Sequence, residues 1–257
     1  MKAKIIFFGS DQYSQIVLEA LKKSSDLEII KVVKEKKELP NLKNNLSQPD
    51  IGIVASFGAL IPPDILSWPK KGLLNLHPSL LPKYRGPTPV PTAILNGEKE
   101  TGLTIIKVDE QIDHGPIVAQ FKEIIQPEDT SESLLKRLFT FGGETLITIL
   151  PSYLEGKIEF REQNHNQATF TRKLTREDGK IDWSKPAHYQ ERFIRAMFPW
   201  PGAWGEVRID NQFKRLKILK AHLKEKKLIL DLVQLEGKKP VTWKQFLEGY
   251  PQAKLPF

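Results

Sequence analysis

Three polar side chains stand out by type and spacing. Asn75 and His77 take alternate positions in the run Asn75-Leu-His77-Pro-Ser-Leu-Leu-Pro82-Lys-Tyr-Arg85-Gly86, and Asp113 follows in Val108-Asp-Glu-Gln-Ile-Asp113-His-Gly115-Pro. An amide can donate to a developing oxyanion. An imidazole can carry a proton near neutral pH. A carboxylate can orient that imidazole and raise its basicity. Together they are the parts an acyl transfer needs when the substrate brings the nucleophile. The chain has no cysteine, which excludes disulfides, thiolate catalysis and cysteine-ligated metal.

Each residue also has a plainer reading. His77 could be a satisfied core histidine, and Asp113 alone reads as an Asx-turn residue. Asn75 and His77, however, share one strand face at its carboxyl edge, and two polar groups there are hard to explain by packing. Ser79 lies outside any G-x-S-x-G elbow and reads as a loop residue lining a pocket. Arg85 suits a ligand carboxylate as a fork, or a surface ion pair. His114, His165, His188 and His222 lack ligand spacing, so no metal is expected.

The elements that must position these groups follow from the apolar pattern. Lys4–Phe8 reads as a buried strand, Leu27–Val33 as a second strand and the apolar runs Ile51–Phe57 and Leu73–His77 as a third and fourth, with a helix over Tyr13–Lys23. Lys34–Pro49, polar and broken by prolines, reads as a loop. A helix over Thr88–Leu95, strands over Thr101–Val108 and Gly115–Ile125, and a helix capped by Thr130 follow. That last helix is expected to run past Gly142-Gly143 and to bend there or near Pro151. The pattern predicts an α/β fold with a doubly wound, mostly parallel Rossmann-like sheet. Ligands of such sheets sit beyond the carboxyl ends of strands, where Gly9, Phe57–Leu60 and Asn75–His77 fall. Neither G-x-G-x-x-G nor a phosphate loop is present. A helix rich in Phe193, Ile194 and Met197 leads into Pro199-Trp-Pro-Gly-Ala-Trp204. The short segments Gly205–Ile209, Leu216–His222 and Leu228–Leu235 then predict a small antiparallel β domain, a reduced OB-like barrel. The expected division is residues 1–155 for the α/β domain, 156–172 for a polar linker and 173–257 for the small domain.

Composition sets wider bounds. Lys and Arg number 39 against 31 Asp and Glu, a net charge of +8. That balance suits a polyanionic partner or simply a lysine-rich solvated surface. The lysines at 34–37 and 214–227 carry few aromatics, which points to phosphate contact rather than base stacking. No apolar run reaches the length of a membrane span and the chain opens straight into a strand, so no membrane partner, no signal peptide and a cytoplasmic location are expected.

These residues resemble the folate-dependent formyltransferase family. Asn75-x-His77, Ser79-Leu-Leu-Pro82-Lys-Tyr-Arg85-Gly86, Gly97-Glu98, Glu100-Thr-Gly-Leu-Thr104 and Asp113-His-Gly-Pro-Ile117 match its signature at the right spacing. Thr169-Phe-Thr-Arg-Lys-Leu174, Gly179-Lys-Ile-Asp-Trp183, Ile194-Arg-Ala196 and Pro199–Trp204 resemble the linker and C-terminal domain of the members that act on methionyl-tRNA. The resemblance implies 10-formyltetrahydrofolate as donor and the α-amine of initiator methionyl-tRNA as acceptor, for translation initiation, by a monomer. A nucleotide-linked amino sugar is the alternative acceptor, because such members share part of the Pro-Trp-Pro-Gly-Ala run. It implies Asn75, His77 and Asp113 as catalytic residues. It also implies a folate pocket built from Ala59, Leu60, Ile61, Ser79, Leu80, Leu81, Pro82, Arg85 and Asp109, with the backbone of Ala59–Ile61 meeting the pterin. The chain departs from the family in two places. Only Lys34–Asp50 stands where the tRNA-specific members carry a basic loop, a helix and a strand, with Lys34, Lys36 and Lys37 as its remnant. Pro240–Phe257 matches poorly.

Overall fold

A computed structural model describes residues 2–44, 46–210 and 212–254. It forms two compact units. The first comprises residues 1–89, 100–124 and 134–172; the second comprises 90–99, 125–133 and 173–257.

The first unit is built on a six-stranded sheet. In chain order its strands are β1 (Ala3–Phe8), β2 (Leu27–Val33), β3 (Ile51–Ala55), β4 (Leu73–His77), β5 (Glu100–Lys107) and β6 (Ile117–Ile124), in the spatial order β2-β1-β3-β4-β5-β6. The pairings β1–β2, β1–β3 and β3–β4 are parallel, whereas β5 is antiparallel to β4 and β6 to β5. The near-continuous apolar runs fit strands covered on both faces: Ile5, Ile6, Phe7, Phe8, Ile51, Ile53, Leu73 and Leu74 are all buried. This is the mostly parallel Rossmann-like sheet the sequence predicts.

Helix α1 (Gln12–Lys22) begins where β1 ends. The Asp11 carboxylate accepts from the amides of Tyr13 and Ser14, and the Ser14 hydroxyl answers the Asp11 amide, so the helix is capped from within the sequence. The stretch expected as a loop after β2 instead holds a 3₁₀ turn, Lys36–Asn41, that buries Leu39 against Ile6, Phe8 and Val33; Leu42, just past the turn, is buried in the same cluster. Two leucines in a polar stretch are too few to show a period, yet enough to anchor one turn. A short helix α2 (Pro63–Leu66) and helix α3 (Pro89–Asn96) follow, and α4 spans Ser131–Leu154. Thr130 caps α4 as expected, its hydroxyl accepting from the Ser133 amide. The helix runs unbroken through Gly142-Gly143 and Pro151. Those glycines allow close approach. A Cβ on Gly142 would lie 2.7 Å from Leu76 and Leu103, and one on Gly143 would lie 2.9 Å from Ala20.

The second unit carries helix α5 (Ala187–Met197) and a four-stranded antiparallel sheet of β7 (Ala203–Ile209), β8 (Gln212–Lys224), β9 (Lys227–Leu235) and β10 (Val241–Thr242), ordered β10-β9-β8-β7. The reduced barrel thus takes the form of a meander, with Lys180 and Lys254 bridging onto β7. Trp204 on β7 lies under the Arg215 guanidinium, 3.8 Å from ring centroid to Cζ, and under the Lys180 ammonium at 5.3 Å. Helix α6 (Trp243–Gly249) was not foreseen. Its signal was the box Thr242-x-x-Gln245, whose side chains do cap it, with Phe246 buried on its inner face. The last three residues of Pro240–Phe257 lie outside the described residues.

Tyr153, near the end of α4, is 4% exposed and donates its hydroxyl to the Lys71 carbonyl at 2.8 Å. Burial pushes its phenol up to about 12. An unfolded chain loses this proton near pH ~10, so stability is full below that and falls as pH rises towards 12. Tyr153→Phe is expected to cost about 1 kcal/mol at pH 7 and to flatten the stability profile between about pH 10 and 12. Denaturant titrations of both proteins across that range check this; parallel declines would contradict it.

Candidate active site

Strand β4 places the first two groups. Asn75 pairs with Val54 of β3 on one side and Ile106 of β5 on the other, and His77 ends the strand opposite Thr104. Period-two alternation sends both side chains to one face, while Leu76 goes to the other face against Gly142. The third group comes from the β5–β6 connection. That loop leaves beside the start of β4, where the Val108 amide donates to the Leu73 carbonyl. It then turns back far enough for Asp113 to reach both side chains.

Asp113 is the centre of the arrangement. Its Oδ1 accepts from Asn75 Nδ2 at 3.2 Å, its Oδ2 accepts from the Gly86 amide at 2.7 Å, and His77 Nδ1 lies 3.5 Å from Oδ2. His77 Nε2 lies 2.9 Å from the Tyr84 carbonyl. A carbonyl only accepts, so Nε2 carries a hydrogen and Nδ1 is the nitrogen that exchanges a proton on the Asp113 side. His77 is buried, while Asn75 and Asp113 are half-buried. Asp113 sits at φ +48°, a left-handed backbone that L side chains seldom adopt. The sequence-predicted trio is therefore brought together within hydrogen-bonding or ion-pair reach.

The other predicted residues fall in three places. Ala59, Leu60 and Ile61 follow β3; Ala59 and Ile61 pack on the Phe8–Phe57 cluster and Leu60 is exposed. Ser79–Pro82 form the turn after His77. Ser79 is fully buried, and its hydroxyl donates to the Lys83 carbonyl at 2.7 Å while its carbonyl accepts from Thr104 Oγ1 at 2.6 Å. Leu80 packs beside Gly102 and Leu81 lies with Ile106 and Ile117. Pro82 gives its carbonyl to the Thr169 amide. Arg85 lies close enough to Asp113 and Asp109 to feel both charges. The Arg85 guanidinium is buried and donates to Gln163 Oε1 and to His165 Nδ1 at 2.7 and 2.8 Å. Burial pushes Arg85 below the usual arginine value, against the pull of Asp113 and Asp109. Asp109 accepts from His114 Nδ1 at 2.7 Å, and His114 stacks on His165 with ring centroids 4.0 Å apart.

A cleft of about 340 Å³ lies apart from the trio, at the carboxyl ends of β1 and β2, lined by Gly9, Ser10, Asp11, Gln15, Val32 and Lys34 among others. Ser56, which follows Ala55, the register partner of Leu76, gives its hydroxyl to Asp11 Oδ2 at 2.5 Å.

The chemistry-bearing neighbours that the sequence reading passed over are Tyr84, Gly86, Thr104 and Gln163. Tyr84 and Gly86 act through main-chain atoms, which no side-chain pattern reveals. Gln163 stands in a polar stretch without periodicity.

Residues 42–150 match the family described as formyl transferase, and residues 173–228 match the formyl transferase C-terminal domain. A methionyl-tRNA formyltransferase of Buchnera aphidicola is 37% identical over 232 residues, covering 78% of this chain and 74% of that protein. The chain belongs to the formyl transferase family. A methionyl-tRNA formyltransferase of Roseiflexus sp. is 49% identical over 156 residues, 61% of this chain and 48% of its own length. Against several such relatives the formyl transferase chain spans about half their length. Among solved structures, methionyl-tRNA formyltransferase from Clostridium thermocellum superposes with a TM-score of 0.74 at 22% identity, over 91% of this chain and 98% of that one, which shows a shared fold.

Gly86 (φ +101°) is tightly seated: a Cβ there would lie 2.7 Å from the Thr171 carbonyl oxygen. Gly86→Ala is expected to lower stability by about 1–3 kcal/mol. Urea denaturation reads this, and an unchanged midpoint would contradict the tight seat.

Proposed function

We propose that this chain transfers the formyl group of 10-formyltetrahydrofolate to the α-amine of initiator methionyl-tRNA. The observation that carries the reading is the Asn75–Asp113–His77 cluster at the carboxyl end of β4, in a chain of this family. The free amine attacks the formyl carbon, a tetrahedral centre forms, and its oxygen gains negative charge. Asn75 spends one amide hydrogen on Asp113 and has a second to offer that oxygen. The attacking nitrogen sheds a proton and the departing folate nitrogen takes one. His77 Nδ1 and the Asp113 carboxylate lie on one path for it. The C–N bond to folate then breaks as the new amide forms.

The folate is assigned to the loop Ala59–Ile61 and the turn Ser79–Pro82, with Arg85 and Asp109 supporting that wall from behind. The acceptor is a nucleic acid, and the second unit offers Lys214, Lys217, Lys220 and Lys224 exposed along β8. These lysines suit phosphate contacts by residues 173–257, and so support the tRNA reading.

Formyl transfer from 10-formyltetrahydrofolate to charged initiator methionyl-tRNA tests the proposal. Asn75→Ala is expected to lower kcat by about 10²–10³-fold, and His77→Ala to abolish most of the remaining rate. Wild type that binds folate yet forms no formylmethionyl-tRNA would sink the acceptor assignment. Affinity for tRNA should fall linearly in log–log terms as salt rises; a salt-independent affinity would rule out phosphate-dominated binding.

A further inference from the structure

Residues 161–171 stitch together the two loops that surround Asp113. Arg161 exchanges backbone hydrogen bonds with Ile117, Thr169 binds the amides of Tyr84 and Arg85, and the Thr171 amide donates to the Arg85 carbonyl. At the middle lies Gln163, 5% exposed, with its amide saturated. Its Nε2 donates to the carbonyls of Asp113 and Gly115 at 2.9 and 2.7 Å, and its Oε1 accepts from Arg85 Nε and Nη2 at 3.3 and 2.7 Å.

We infer that Gln163 is a positioning residue for formyl transfer, acting through Asp113. The inference rests on the transferase reading above. The two carbonyls it holds flank His114, so the peptide planes after Asp113 are fixed, and with them the left-handed backbone that aims the carboxylate at Asn75 and His77. An aspartate can enter that region, and the two hydrogen bonds from Gln163 hold it there. The other end of the amide holds Arg85, whose neighbour Gly86 supplies the N–H on Asp113 Oδ2. One side chain therefore ties the loop carrying the carboxylate to the loop carrying the donor that receives it. A glutamine serving only to fill the core would have no reason to spend both ends on these two loops.

The test is a double-mutant cycle with Gln163→Leu, Asp113→Asn and the pair. Gln163→Leu is expected to lower kcat about 10²-fold, since misplacement by an ångström has that effect, with KM for 10-formyltetrahydrofolate changed less than about twofold. In the pair no loss beyond that of Asp113→Asn is expected. Losses that multiply would overturn the inference, because a general structural defect acts independently of Asp113. If Gln163→Leu does not fold, Gln163→Glu replaces it: it keeps an acceptor for Arg85 but sets a carboxylate against two carbonyls. If wild type does not formylate methionyl-tRNA, the acceptor reading fails by itself, and the Gly86 amide then decides by NMR. A shifted resonance with faster hydrogen exchange in the Gln163 variant supports the inference; an unchanged Gly86 signal overturns it.

Discussion

The arrangement depends on one carboxylate aimed at its partners by a left-handed backbone. Asp113, at φ +48°, takes hydrogen bonds from Asn75 and the Gly86 amide and faces His77 Nδ1. The contacts join three stretches of chain: the strand of Asn75 and His77, the turn beyond it with Gly86, and the β5–β6 loop that carries Asp113. A half-buried anion with several donors is stabilised where it stands. The same donors become a fixed frame for whatever approaches Asn75 and His77.

The sheet explains why the frame forms here. β4 lies between a parallel neighbour and an antiparallel one. On the β3 side the chain must leave through loops at the carboxyl edge, which delivers Ser56 and Ala59–Ile61. On the β5 side, β5 and β6 form an antiparallel pair whose connection folds back to bring Asp113 to Asn75 and His77. Behind β4, Gly142 lets α4 approach Leu76 and Leu103 closely. A backbone packed so tightly on one face gives the polar side chains on the other little room to drift.

The second unit differs in kind. Its meander alternates buried and exposed positions, with Leu216 and Ile218 inside and Lys214 and Lys217 outside. The fold there presents charge, while the first unit gathers it into a site. The stretch joining them also belongs to the first unit's architecture. Residues 161–171 read as a polar tether because their hydrogen bonds go to loops rather than to a core, and such partners leave no hydrophobic period in the sequence.

Most strands of the first sheet were legible because they are largely apolar runs; Leu73–His77, mostly buried, and Leu27–Val33, an edge strand with only Val33 buried, have the expected bounds. The 3₁₀ turn at Lys36–Asn41 and helix α6 were not read, since two leucines and one capping box are weak signals beside prolines and glycines. The same asymmetry holds at the site. The sequence by itself determined which groups are available, and that Asn75 and His77 share a face, because alternation along a strand is local geometry. Only the tertiary structure decided that Asp113 meets them, that Arg85 turns inward to Gln163, and that Tyr84 and Gly86 contribute main-chain atoms. Those relations depend on loops folding back across the sheet and on backbone groups common to every residue, and neither leaves a mark in the order of side chains.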